Sequence, residues 1–399
     1  MTPTKPIPRA IYAALLTTGF FCCASTDYGQ RTPGQEINDA RSTEAGFVLQ
    51  MREAEDDLKR SGAVNEDPEL NAYIGSVACK VAGEFCNELR VYIVEIPIFN
   101  ASMAPNGMMM VHSGLLLRAD NEAELAFVLA HEFGHYFESH SIERWGAWKN
   151  ANNAGVVLGA TIGAVGGVAL GSPGAALGDT AYILSASTAF SFSREQEHEA
   201  DKIGLQIIGD LGYSPQAGVS IWQNLSNEMR ASSNKSKRRS LNKASLFNTH
   251  PLTSQRIASL DQMSTQWSGG TTRSEIYQAA VRPHLERWLK AELANRDPGA
   301  MLHLLDRLSA RGEDAGKIEF YRGEVYRTRR QEGDQTLALE AYEGAVGFAD
   351  VPAIAWRQIG DLSARLGDPA KARSAFQEYL TKAPDAADRA LIEAMLKDL

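Results

Sequence analysis

The chain has 399 residues, with 40 Lys and Arg against 49 Asp and Glu, a net charge of −9. Hydrophobic residues make up 44% and charged residues 22%, a globular balance that excludes collagen, a coiled-coil rod and a wholly disordered chain. The acidic balance argues against a general nucleic-acid binder, which needs a basic face, and the length suits two or three domains.

The N-terminus reads as an export signal over residues 1–24. Lys5 and Arg9 form a positive region, Ala10 to Phe21 an apolar one, and Cys22-Cys23-Ala24 supplies small residues for cleavage near Ala24. Lipidation would use Cys22 or Cys23, although Phe20 and Phe21 are bulky for that signal. After cleavage only Cys79 and Cys86 remain, an even count that suggests a disulfide in an exported protein. Seven apart on one helix they stand too far apart to bond; a bend near Gly83 would bring them together. Residues 25–45 read as a flexible lead-in.

From about Phe47 to Cys86 the pattern is helical, with Leu70, Tyr73, Ile74 and Val77 on one face. Arg90 to Ile96 alternates as a strand and stops at Pro97. Asn106-Gly107 signals a hairpin into a strand over Met108 to Val111, whose three methionines read as core. Asn121 and Glu124 form a capping box that starts a helix running to about His140. Residues 150–178 carry no charge, and Gly155, Gly159, Gly163, Gly167 and Gly171 make one smooth helical ridge. Such a ridge suits a packed helix, peripheral contact with a membrane, or a span. Ser193 and Gln196 form a second capping box. Residues 229–249, with Lys235, Lys237, Arg238 and Arg239, read as a mobile surface loop. A linker is expected over 264–274. Beyond it, Trp356, Ile359, Gly360, Ala372, Phe376 and Pro384 fall at tetratricopeptide spacings. An imperfect earlier copy runs through Gly323, Tyr326, Ala338, Tyr342 and Ala345, and a degenerate one covers Arg287 to Gly312.

The chemistry-bearing motif is His131-Glu132-Phe133-Gly134-His135. Histidines four apart share a helical face, so both imidazoles can close on one zinc ion, and Glu132 beside them can take a proton from water. A catalytic zinc needs a third protein ligand and an open position. Glu195, Glu197, His198, Glu199 and Asp201 are the downstream candidates. Glu197 and Asp201 share a face, so one can bind metal while the other steadies a ligand histidine from outside. Spacing alone does not choose among the acids.

The blocks Asn121 to Ala126, His131 to His135, Ser193 to Asp201 and His250-Pro-Leu-Thr-Ser-Gln-Arg-Ile257 resemble those of the HtpX/BepA-like zinc metallopeptidases, the family that also holds the CAAX prenyl endopeptidases. The resemblance covers residues 45–262 well and the repeats more loosely. It implies an α+β architecture: a mainly helical, zincin-type (gluzincin) catalytic domain with a small sheet over 46–263, then an all-α tetratricopeptide-like domain over 275–399. It implies one Zn2+ per chain held by His131, His135 and Glu197, with Asp201 steadying His131 and Glu132 as general base. His250 is placed near the metal, to steady the oxyanion or to cap the open site. Residues 100–107 correspond to the family's substrate-side edge segment, and His112 reads as a neutral strand histidine. The implied function is endopeptidase action on misfolded or stalled envelope proteins in the periplasm. The repeats would recruit substrates, outer-membrane proteins or their assembly machinery. The competing reading is an assembly chaperone with a latched zinc site.

Overall fold

The computed structural model describes residues 29–35, 42–151, 192–240, 250 and 253–399. The expected export signal with Cys22 and Cys23, the expected glycine ridge, and residues 241–249 of the basic stretch lie outside them. The described part is mainly helical with one small three-stranded sheet. Among the described residues no helix is long and apolar enough to cross a membrane. The chain divides into two compact units, residues 1–225 with 240–283, and residues 226–239 with 284–399.

The first unit opens with helix α1 (Thr43–Arg60), capped by the Ser42 hydroxyl, and α2 (Pro68–Ala82), capped by Asp67 with Pro68 in the first turn. The single helical run expected over 47–86 is therefore two helices. The break falls at Ser61-Gly62, where Gly62 takes φ 68°. Gly83, at φ 57°, ends α2 and turns the chain into a short 3-10 helix, Gly83–Glu88. That bend brings the Cα atoms of Cys79 and Cys86 to 4.7 Å, and a disulfide joins them.

Strands β1 (Arg90–Val94), β2 (Ala101–Met103) and β3 (Met108–His112) form the sheet in the order β1-β3-β2. β1 runs parallel to β3, while β2 and β3 are antiparallel around the Asn106-Gly107 turn, where Gly107 has φ 86°. Arg90 pins that turn by donating to the Asn106 carbonyl and, bidentately, to buried Glu55, which also accepts from Tyr92 and Asn106. The pleat points Met108 and Met110 at Phe47, Met51 and Leu58 of α1, while Met109 and Val111 are buried on the opposite side.

A short helix α3 (Ser113–Arg118) leads into α4 (Glu122–Phe137), all of whose residues are buried. Asn121 caps it by accepting from the Glu124 amide, but Glu124 reaches back to the Asp120 amide instead of completing the box. The aromatics Phe133, Tyr136 and Phe137 of α4 close around Phe85, which the disulfide-linked turn presents. Helix α5 (His140–Ala151) follows after a left-handed Ser139, φ 58°, so α4 stops short of His140. The lead-in is fixed where it is described. The Arg31 amide donates to the Phe137 carbonyl at 2.8 Å, and the Arg31 guanidinium lies 4.5 Å over the Tyr136 ring.

Helix α6 (Arg194–Asp210) begins at the complete Ser193–Gln196 capping box and crosses α4 closely. Gly134 makes the approach possible, because a Cβ there would stand 3.2 Å from the Ala200 Cα. Helices α7 (Ala217–Ala231), α8 (Lys235–Ser240), α9 (Ser254–Ser264) and α10 (Ser274–Val281) follow in the chain, with the end of α7 and nearly all of α8 counted in the second unit. The expected linker over 264–274 is instead part of this unit. Thr271 pairs with the backbone of Gly212 and Ser214, and Tyr277 of α10 donates to the Leu116 carbonyl. The basic stretch is a loop only in part, since α8 covers Lys235–Ser240 and Lys237 pairs with Asp297.

The second unit is all helical: α11 (Leu285–Leu293), α12 (Pro298–Ser309), α13 (Ala315–Arg329), α14 (Asp334–Ala345), α15 (Ile354–Arg365), α16 (Pro369–Lys382) and α17 (Arg389–Asp398). Gly323 of α13 faces the Tyr342 ring of α14, and Gly360 of α15 faces Phe376 of α16. The same small-against-aromatic contact thus recurs in two successive helix pairs.

Candidate metal centre

The site forms where α4 crosses α6, with His250 and α9 contributing side chains to it. His131 and His135 sit one turn apart on α4, with Nε2 atoms 3.2 Å apart, and both rings are fully buried. Glu197 comes from α6. Its carboxylate oxygens lie 3.6 Å from the Nε2 atoms of His131 and His135. His250 brings Nδ1 to 3.2 Å from His131 Nε2 and 2.8 Å from Glu197 Oε1. One ligand atom from each of these four buried residues lies within 4.8 Å of the others. Glu132 stands beside them, with Oε1 3.4 Å from His250 Nε2.

The donor set fits zinc. Nitrogen ligands about 2.1 Å from a tetrahedral ion stand about 3.4 Å apart, close to the spacings found here. The outer nitrogen of each α4 histidine is engaged away from the centre: His131 Nδ1 lies 3.1 Å from Asp201 Oδ1, and His135 Nδ1 lies 2.9 Å from His140 Nδ1. That leaves the two Nε2 atoms facing each other, with Arg256 Nη2 3.3 Å from that of His131. Glu197 Oε2 is buried without an aligned hydrogen bond, although Arg256 Nη1 lies 2.6 Å away as an ion pair. Two imidazole nitrogens and an ionised carboxylate converging in one buried space suit a divalent cation.

The electrostatics follow from burial and charge. Burial raises the Glu132 carboxyl above its ordinary range, against the opposing pull of His250 and His131. Burial holds His135 well below its ordinary range, in the neutral form a metal needs. For Glu197 and Asp201 burial is outweighed, chiefly by Arg256, and both stay ionised. His250 is raised because Glu132 and Glu197 outweigh its burial.

Arg256 and His140 complete the surroundings, and neither stands out in the sequence. Arg256, on the first turn of α9, holds both Asp201 oxygens at 2.6 and 2.7 Å and lies 4.6 Å over the Trp222 ring. Its position in the block after His250 was visible, but only the fold shows that it faces two acids. Glu195 and His198 are exposed on α6 and stand outside the four-residue cluster, as does Glu199, which meets His140 instead. His112 is buried away from the cluster. Its pKa falls to about 4, mainly by burial, which keeps the ring neutral.

Comparison with known proteins decides the kinship. The model of peptidase family M48 matches residues 64–264, half of the chain. The chain belongs to peptidase family M48. Among its relatives is the beta-barrel assembly-enhancing protease of Escherichia coli (strain K12), 26% identical over 283 residues, which cover 68% of this chain and 55% of that protein. The Yersinia pestis protein of the same name is 26% identical over 363 residues, 86% of this chain and 70% of its own. The mitochondrial metalloendopeptidase OMA1 of Schizosaccharomyces pombe is 29% identical over 174 residues, 43% of this chain and 46% of its own. The chain thus spans about half the length of the Escherichia coli protein.

Proposed function

We propose that the chain is a zinc-dependent endopeptidase of the gluzincin type, with His131, His135 and Glu197 as metal ligands, Glu132 as general base and Asp201 orienting His131. The observation that carries this is the convergence of two inner Nε2 lone pairs and the Glu197 carboxylate beside Glu132. A structural zinc would not need Glu132. A zinc ion held there supplies a Lewis acid that polarises a peptide carbonyl and acidifies water. Glu132 takes the proton from the attacking water on a carboxylate oxygen, and its raised pKa suits it to hand the proton on to the leaving nitrogen. Asp201, held by Arg256, accepts from His131 Nδ1 and keeps Nε2 directed inward.

The same reading assigns residues 46–263 to the peptidase segment and the C-terminal helix pairs to tetratricopeptide-type repeats. It makes the protein a periplasmic one, cleaved near Ala24, acting on misfolded or stalled envelope proteins. The name of the beta-barrel assembly-enhancing relatives supports outer-membrane proteins or their assembly machinery as the repeats' partners.

A second reading rests on His250. Its Nδ1 stands at ligand distance from the rest of the cluster, so it supplies a fourth protein donor and closes the open position a catalytic zinc requires. The site drawn in this way is latched. The test is casein hydrolysis by the zinc-loaded chain beside His250→Ala. A latch predicts faster hydrolysis by the variant, whereas an oxyanion role for His250 predicts slower hydrolysis. Hydrolysis by neither protein would leave the chaperone reading standing and the peptidase reading refuted.

A further inference from the structure

His140 is buried beside the metal centre, yet the chemistry above gives it no part. Its Nδ1 stands 2.9 Å from His135 Nδ1, and its Nε2 stands 3.3 Å from Glu199 Oε2. Two ring nitrogens at that distance share one proton, so one donates and the other accepts. His135 turns Nε2 to the ligand cluster, which places its own proton on Nδ1. That N–H donates to His140 Nδ1. His140 must then carry its proton on Nε2, and that N–H donates to the Glu199 carboxylate. Each bond fixes the tautomer of the next ring, from a half-exposed carboxylate inward to the ligand lone pair.

The local fold is built to hold this contact. Five residues on from His135, a continuous helix would carry His140 away from it. Instead α4 ends at Phe137, and Ser139 takes the left-handed conformation at φ 58°, which turns the chain back. An N-terminal strap fixes that turn. The Ser139 hydroxyl donates to the Gly29 carbonyl at 3.0 Å, Gln30 Nε2 donates to Glu138 Oε1 at 3.0 Å, and the Arg31 amide donates to the Phe137 carbonyl at 2.8 Å. The Phe192 ring stacks on His135 at 3.7 Å between centroids and holds the plane of the imidazole.

We propose that His140 is a positioning residue, which accepts from His135 Nδ1, is itself held by Glu199, and so presents His135 Nε2 to the metal, as Asp201 does for His131. The proposal rests on the reading of His135 as a ligand through Nε2.

The test is zinc affinity, measured by competition with a chromophoric chelator, on the full chain and on His140→Leu, His140→Asn, Glu199→Leu and His135→Ala. Loss of an outer partner costs about 10- to 100-fold in metal affinity, and His140→Leu is expected to lose that much. His140→Asn keeps an acceptor near the place of Nδ1 and is expected to retain most of the affinity. Glu199→Leu, at a half-exposed position, is expected to show a smaller loss in the same direction. Melting of the metal-free proteins should not separate His140→Leu from His140→Asn, which distinguishes positioning from packing. Wild-type affinity in His140→Leu, or equal losses in the Leu and Asn variants, overturns the proposal. Should His140→Leu fail to fold, unchanged affinity in Glu199→Leu overturns it. Wild-type affinity in His135→Ala would instead overturn the ligand reading beneath it.

Discussion

Glu132→Gln is expected to keep zinc and to lose peptide hydrolysis by about 10²- to 10⁴-fold, the usual contribution of a general acid–base group. Glutamine preserves the volume and one carbonyl oxygen but cannot take up a proton. The side chain touches the metal cluster through His250, 3.4 Å away, and is not among the four clustered donors. Removing its charge should therefore leave the metal in place. Burial raises the carboxyl pKa, and proton uptake at that carboxyl is the property the variant deletes. Casein turnover and bound zinc measured on the same sample check both halves. Turnover near the wild-type rate would remove Glu132 from its role, and loss of zinc would make it a structural residue.

Arg256→Met is expected to destabilise the fold by about 3–5 kcal/mol, the usual cost of removing one partner from a buried ion pair. The guanidinium contacts Asp201 at 2.6 and 2.7 Å and Glu197 at 2.6 Å, so its loss leaves two buried carboxylates without their shared counter-charge. Methionine can still fill the space over Trp222, but the cation–π contact at 4.6 Å is lost with the charge. At this size the melting temperature should fall on the order of 10 °C. Zinc should bind more weakly as well, because Asp201 is no longer held against His131. Arg256→Lys should fall between the two, since one ammonium lacks the planar fork that reaches both acids. Melting of metal-free and zinc-loaded protein reads both effects. An unchanged melting temperature would show that Arg256 is not the counter-charge of this cluster.

What the sequence made legible was set by local rules. The Asn121 and Ser193 caps placed the starts of both helices of the site, because a cap acts within three residues. The i, i+4 spacing on α4 and α6 placed His131 with His135 and Glu197 with Asp201 on common faces. Which acid meets which histidine depends on how the helices cross, and that depends on Gly134 against Ala200, a contact between segments more than sixty residues apart. Arg256 carries no periodic signal. It acquires meaning only once Asp201 and Glu197 face it. His140 lies off the helical register of His135 and becomes a neighbour through a left-handed serine, a conformation serine does not advertise. The break at Ser61-Gly62 and the Asp67-Pro68 start of α2 were readable as stop and start signals that the long apolar face obscured. Gly269-Gly270 carries the composition of a linker, yet Thr271 beside it pairs with the backbone after α6.

The most direct measurement is zinc content and casein hydrolysis in one preparation of the chain, stripped with a chelator and then reloaded stepwise. Hydrolysis is expected to vanish with the metal, to return as zinc approaches one per chain, and to stay absent in Glu132→Gln carrying the same zinc. Hydrolysis that survives stripping, or that Glu132→Gln retains, would contradict the roles of zinc and Glu132.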